Sequence, residues 1–257
     1  MSSIDVPLRR GGFGQTARKD TWWLEPLLVF LGFAAFIVYS TWAGMQNAYY
    51  EWGPYLSPFY SPLLTKVAPS WWPSFLAFSP AMLILWAPGG FRLTCYYYRG
   101  AYYKAFWADP PSCTVGEPRN TYWGERTFPL ILQNVHRYFL YLALVFIVLL
   151  SLDAWRSMWW DSPNGKTFGM GIGTIVMIIN PILLGAYTLG CHSLRHLTAG
   201  RLDEMSKQPA RKVTYDCVSC LNRRHMMWAW FSLFWVGFTD IYIRLVAMGK
   251  ITDLRLF

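Results

Sequence analysis

Long apolar stretches alternate with short polar, aromatic-rich segments from residue 24 onward. A bilayer core of about 30 Å needs roughly 20 apolar residues in helix, and five stretches meet that need, at about 24–45, 70–87, 129–155, 168–189 and 226–248. The first follows an interfacial Trp22–Trp23 pair. The second is interrupted by Pro73, Pro80 and Pro88, which a membrane helix tolerates when neighbours satisfy the freed carbonyls. The third contains the uncharged run 138–152, and the fourth is uncharged throughout. The fifth carries Asp240 and Arg244, four residues apart and therefore able to pair. The pattern predicts an all-α polytopic membrane protein, a bundle of five transmembrane helices, with a polar arm at 1–23 and a short tail at 249–257. The apolar stretch behind the arm is too long for the core of a secretory signal, so no cleaved leader is expected.

Composition supports that reading. Apolar residues make up 54% of the chain and charged residues 14%, against roughly 25% charged in soluble domains. So few charges exclude a soluble domain and a disordered chain alike. The net charge of +9 is unevenly placed: 16 of the 23 Lys and Arg fall on the N-terminal side of the predicted spans and 5 on the other. The positive-inside rule then puts the N-terminus in the cytoplasm and the C-terminus outside. Tryptophans at span ends, among them Trp71, Trp72, Trp155, Trp159 and Trp160, suit interfacial belts, as does the loop 49–61. Tyr96, Tyr97, Tyr98, Tyr102 and Tyr103, with Arg92, Arg99 and Lys104, make a basic aromatic platform suited to membrane lipid or a soluble partner. Nucleic acid is not expected at a membrane-proximal loop, and no phosphate-binding glycine motif is present.

All five Cys and four His fall on the cytoplasmic side of the predicted topology, where a structural disulfide framework is not expected. Cys95 and Cys113 lie in the first inner loop, and His136 starts the third span. Cys191, His192 and His196 close the fourth, and Cys217, Cys220 and His225 precede the fifth. Soft ligands at helix ends suit haem iron, a Rieske-type [2Fe–2S] centre with two Cys and two His, or zinc through the C-x-x-C at 217–220. The CHSLRH run is the densest group, and its two imidazoles share a helix face. For His225 an interfacial hydrogen-bonding role and a ligand role stand side by side. Arg137 sits at the inner boundary, where a cation can orient a quinone carbonyl or a lipid phosphate.

The strings GPYLSPFYSP, RLTCYYYRGAYYKAFWADPPSC, FPLILQNVHRYFLYLAL, LGCHSLRHL and LNRRHMMWAWFSL, spread over residues 53–233, resemble the membrane anchors of succinate dehydrogenase and fumarate reductase. They are most similar to the single-subunit, five-helix branch. The resemblance implies a flavoprotein and an iron–sulfur subunit docked on the cytoplasmic face of a bacterial inner membrane. Electrons would pass to menaquinone or ubiquinone, and a higher oligomer of the complex is compatible with the resemblance. It also implies either one haem b or a Rieske-type cluster, with Cys95, Cys113, His136, Cys191, His192 and His196 as metal-ligand candidates. Arg137, Tyr98 and Trp228 are the expected quinone contacts. The soluble Rieske spacing, C-x-H with C-x-x-H, is absent, so cluster ligands would have to come from several helix ends. A cofactor-free anchor and a Cys/His metal-handling membrane protein are the competing expectations.

Overall fold

The computed structural model describes residues 12–118, 128, 130–163, 165–200 and 204–257. Of the basic residues counted above, Arg9, Arg10, Arg119, Arg126 and Arg201 lie outside these residues, as do Pro129 at the start of the third expected span and residues 1–11 of the N-terminal arm. Among the described residues, four helices are long and apolar enough to cross a bilayer. They are α1 (Leu24–Met45), α4 (His136–Arg156), α5 (Ile172–Leu189) and α8 (His225–Ala247).

The expected span at 70–87 is not one of them. Residues 70–79 form turns and bends, because Pro73 and Pro80 lack the N–H that a helix needs and clash with the preceding turn. Helical structure starts at Pro80–Leu83 as a 3₁₀ turn and continues as α2 (Trp86–Thr94). Pro88 falls in the first turn of α2, where its missing donor has no intrahelical partner to lose. A break at Cys95 then leads into α3 (Tyr96–Trp107). This broken segment runs antiparallel to α1. Ala81 and Leu85 face Gly44, Tyr98 meets Phe33 at 5.3 Å, and Phe106 meets Phe30 at 4.8 Å. The chain therefore returns along α1 in a fractured helix, shifted toward the C-terminus of the expected span. The Tyr-rich platform is likewise a helix, with Tyr98 and Tyr103 buried in it, and Arg92 points into the bundle.

Helices α5 and α8 are central, with 50% and 56% of their apolar windows buried, against 17% for α1. The outer faces are apolar at helical spacing: Tyr141, Val145, Val148 and Leu152 on α4, and Phe231, Phe234, Phe238 and Ile241 on α8. In lipid, such faces do not drive helices together, so close packing at small residues does. Gly90 lets α2 approach α4 so tightly that a Cβ there would overlap the ring of Phe139. That contact lies one turn from both Thr94 and His136.

The end of the bundle holding the start of α1 is termed inner here, following the charge bias. At the opposite end, β1 (Glu51–Trp52) and β2 (Tyr55–Leu56) form a small hairpin. The loop after it is not an interfacial belt, as its sequence suggested. Tyr55, Ser57, Phe59, Tyr60 and Ser61 are buried in the bundle, and the two serine hydroxyls among them meet buried carboxylates. Ser57 donates to Asp240, and Ser61 to Asp153. Tyr39 also donates to Asp240, at 2.5 Å. Arg244 pairs with Asp240 at 2.7 Å, as their spacing predicted, and donates to the carbonyls of Ala43 and Ala48. A second hairpin, β3 (Trp159–Ser162) with β4 (Gly165–Phe168), joins α4 to α5. The tail returns over α5, where Asp253 accepts from the Gly173 amide at 2.9 Å. A carboxylate there suits the positive end of the helix dipole.

Candidate functional site

Two helix breaks and two helix starts meet at the inner end. Cys95 caps α3, and Cys191 caps α6 (His192–Ala199), each in an extended backbone conformation. His136 and His225 are the first residues of α4 and α8. The side chains form two crossed pairs. His136 Nε2 lies 3.0 Å from Cys191 Sγ, and His225 Nε2 lies 3.5 Å from Cys95 Sγ. Both thiols are 2% exposed, so what reaches them is decided by the protein rather than by bulk solvent.

The surroundings fix the imidazoles. Thr94 gives its hydroxyl hydrogen to the Gly90 carbonyl at 2.7 Å, which leaves its oxygen to accept from His136 Nδ1–H at 2.8 Å. His136 Nε2 is therefore the bare nitrogen, turned toward Cys191; a partner on the far nitrogen is how ligating histidines are set. Phe91 stacks on His136 at 4.8 Å and 8°, and Tyr187 on His225 at 5.0 Å and 21°. His225 Nδ1 is buried without a hydrogen-bond partner among the described residues. Asn222, ending α7 (Pro209–Asn222), holds the α5–α6 break by donating to the Gly190 carbonyl at 2.8 Å. Burial, then the neighbouring Cys95, pushes the Cys191 thiol up to about 12. Left to itself at pH 7 it keeps its proton, and a bound cation is what would release it.

Above the four lies an open cavity of about 750 Å³, bordered by Cys95, His136, Arg137, Cys191, His192 and His225 among others. Of the six metal-ligand candidates, the structure gathers Cys95, His136 and Cys191 in the site, together with His225. His192 and His196 do not join the pairs. Their Nε2 atoms face each other at 3.0 Å near the surface. Burial, then His196 and Arg195, lowers the His192 pKa, so it is neutral at pH 7. Cys113 is exposed in a turn where its carbonyl accepts from Arg18. Cys217 and Cys220 are exposed on helix α7. Among the described residues, no three His, Cys, Asp or Glu side chains converge on a single ion. Arg137 is exposed at the cavity rim. Tyr98 is not at the rim: its hydroxyl donates to the Ala229 carbonyl at 2.6 Å and accepts from Arg92. Trp228 is half-buried, with an indole N–H that lacks a partner among the described residues.

His225 carried one signal in the sequence. Like His136, it stands where a polar segment turns into an apolar helix.

Residues 24–249 match the family of the actinobacterial succinate dehydrogenase subunit SdhC. The chain belongs to that family. It is therefore a helical membrane anchor of succinate dehydrogenase type, a multi-pass protein of the bacterial cytoplasmic membrane. It is also 42% identical to a chain in the structure described as the Mycobacterium smegmatis Sdh1 complex in the apo form, with a TM-score of 0.85 and all of both chains covered. No curated protein matches.

Proposed function

We propose that this SdhC-type chain is the quinone-reducing anchor of a succinate:quinone oxidoreductase. The flavoprotein and iron–sulfur subunits dock on its basic inner end, which faces the cytoplasm, and electrons leave to menaquinone or ubiquinone. Cys95, Cys191, His136 and His225 hold a Rieske-type [2Fe–2S] centre. One observation carries this: two buried thiols and two imidazoles, brought by four separate elements, meet beneath an open cavity.

The donor set fits such a centre, which requires two Cys on one iron and two His on the other. A haem would use the imidazoles and leave both thiols idle. When bound, the centre supplies one-electron transfer. The chain's own residues orient and insulate. Thr94 fixes His136, the rings of Phe91 and Tyr187 cover the imidazoles, and the break at Cys191 turns its thiol inward.

The test is an EPR and optical spectrum of the purified complex, with iron and acid-labile sulfide assays. A low-g Rieske signal is expected. A reduced haem α-band in its place gives the site to haem, and neither signal leaves a cofactor-free anchor.

Arg137 borders the cavity and is the group proposed to hold a quinone carbonyl. A charged hydrogen bond contributes about 1.5–3 kcal/mol, so Arg137→Ala is expected to slow quinone reduction by roughly 10–100-fold. Succinate oxidation by an artificial acceptor stays unchanged. Equal losses in both assays would mean an assembly defect instead.

A further inference from the structure

Two arginines lie inside the helical bundle among the described residues, and they are treated differently. Arg244 is 3% exposed and faces the carboxylate of Asp240. Arg92 has no such partner. Its guanidinium donates to the Tyr98 hydroxyl at 2.5 Å, the Ser232 hydroxyl at 3.0 Å and the Ala229 carbonyl at 3.3 Å. It also lies over the rings of Tyr187 at 4.8 Å and Tyr98 at 5.6 Å. All of these are neutral. Ala229 and Ser232 are the fifth and eighth residues of α8, so the cation sits about 6–10 Å beyond the helix start at 1.5 Å per residue. On one side it borders an apolar cavity of about 160 Å³ lined by Phe36, Phe59, Ala143, Leu150 and Val236 among others. A cation held at such depth without an anion is costly, and intramembrane charges are therefore paired as a rule.

The missing anion has a place. Arg92 is one helical turn before Cys95. The Tyr187 ring that it covers is also the ring stacked on His225. We infer that Arg92 is the fixed counter-cation of the inner Cys/His centre and raises its reduction potential. The inference rests on the two-iron centre proposed above. Two ferric ions, two sulfides, two thiolates and two neutral imidazoles sum to zero charge. One electron from the partner iron–sulfur subunit, with no proton, makes the assembly an anion. A nearby cation in a low-dielectric setting favours the state that carries the electron. Neutral ring faces and hydroxyls hold the guanidinium without cancelling its charge, as a carboxylate would.

The experiment is an EPR-monitored redox titration of the intact purified complex. Arg92→Gln keeps a hydrogen-bonding side chain and removes the charge. Its signal is expected to persist, with the reduced-to-oxidised ratio at fixed ambient potential falling at least tenfold, about 59 mV for one electron. Arg92→Lys is expected to stay near the wild type. Ser232→Asp supplies the carboxylate that Arg92 lacks while leaving the arginine in place, so it is expected to lower the potential in the same direction. It also decides the matter if Arg92→Gln fails to assemble. An unchanged midpoint in an assembled Arg92→Gln or Ser232→Asp complex overturns the inference and leaves Arg92 as a tie between α2 and α8. A shift in Arg92→Lys as large as in Arg92→Gln does the same, since geometry rather than charge would then be responsible. A wild-type complex with no Rieske signal overturns the underlying centre, which separates that failure from this one.

Discussion

His225→Ala is expected to abolish the EPR signal of the inner centre, while His192→Ala and His196→Ala leave it at full strength. The difference follows from where the helices break. His192 and His196 lie on α6, after the chain has turned at Gly190 and Cys191, and their imidazoles meet each other near the surface. His225 opens α8 with Nε2 toward Cys95 and its ring against Tyr187. Removing one of the four would leave the proposed centre one donor short. Cys191→Ser is expected to behave as His225→Ala does. Signal intensity per flavin in the purified complex is the measurement, because it corrects for anchor lost in assembly. A full signal in His225→Ala would falsify its place in the ligand set. Loss of the signal in His192→Ala, in an otherwise stable complex, would return the exposed pair to it.

That prediction also marks where sequence reasoning stopped. Apolar length alone located α1, α4, α5 and α8, since each is a long run with few interruptions. Hydropathy averages composition, however, and does not register a missing N–H. The apolar residues at 70–79 therefore looked like a span that Pro73 and Pro80 forbid, and the real return path began at Pro80. The broken path then carried Cys95 from a presumed loop into the core, where it is 2% exposed. The clustering of Cys and His on one side was visible without any structure. Which of them turn inward was not, because facing is set by the breaks at Cys95 and Cys191. The dense CHSLRH run drew attention to His192 and His196, which are neighbours in sequence. The contacting pairs are 55 and 130 positions apart along the chain, and only packing brings such residues together. Arg92 was assigned to an aromatic platform for the same reason: its direction depends on α2 being a helix.

At the other end of the bundle, Asp240→Asn is expected to cost about 3–5 kcal/mol of stability, the range for leaving one partner of a buried ion pair uncompensated. Asp240 is fully buried and receives Arg244, Tyr39 and Ser57 together. Those partners come from α8, α1 and the loop after β2, so the carboxylate fastens the outer cap onto two helices. Without its charge, Arg244 keeps only the carbonyls of Ala43 and Ala48 and the rings of Trp42 and Tyr60 around it. Thermal unfolding of the purified complex measures the loss. The double variant Asp240→Asn with Arg244→Met removes the orphaned cation along with its partner and is expected to recover much of the stability. A double variant no more stable than Asp240→Asn would show that the hydroxyl contacts, rather than the ion pair, matter at this site. The inner centre provides an internal control. Asp240 lies 15 residues along α8 from His225, about 22 Å at 1.5 Å per residue. The signal per assembled complex is therefore expected to stay unchanged in both variants. The two ends then act independently: the outer one closes the bundle, and the inner one gathers the thiols and imidazoles.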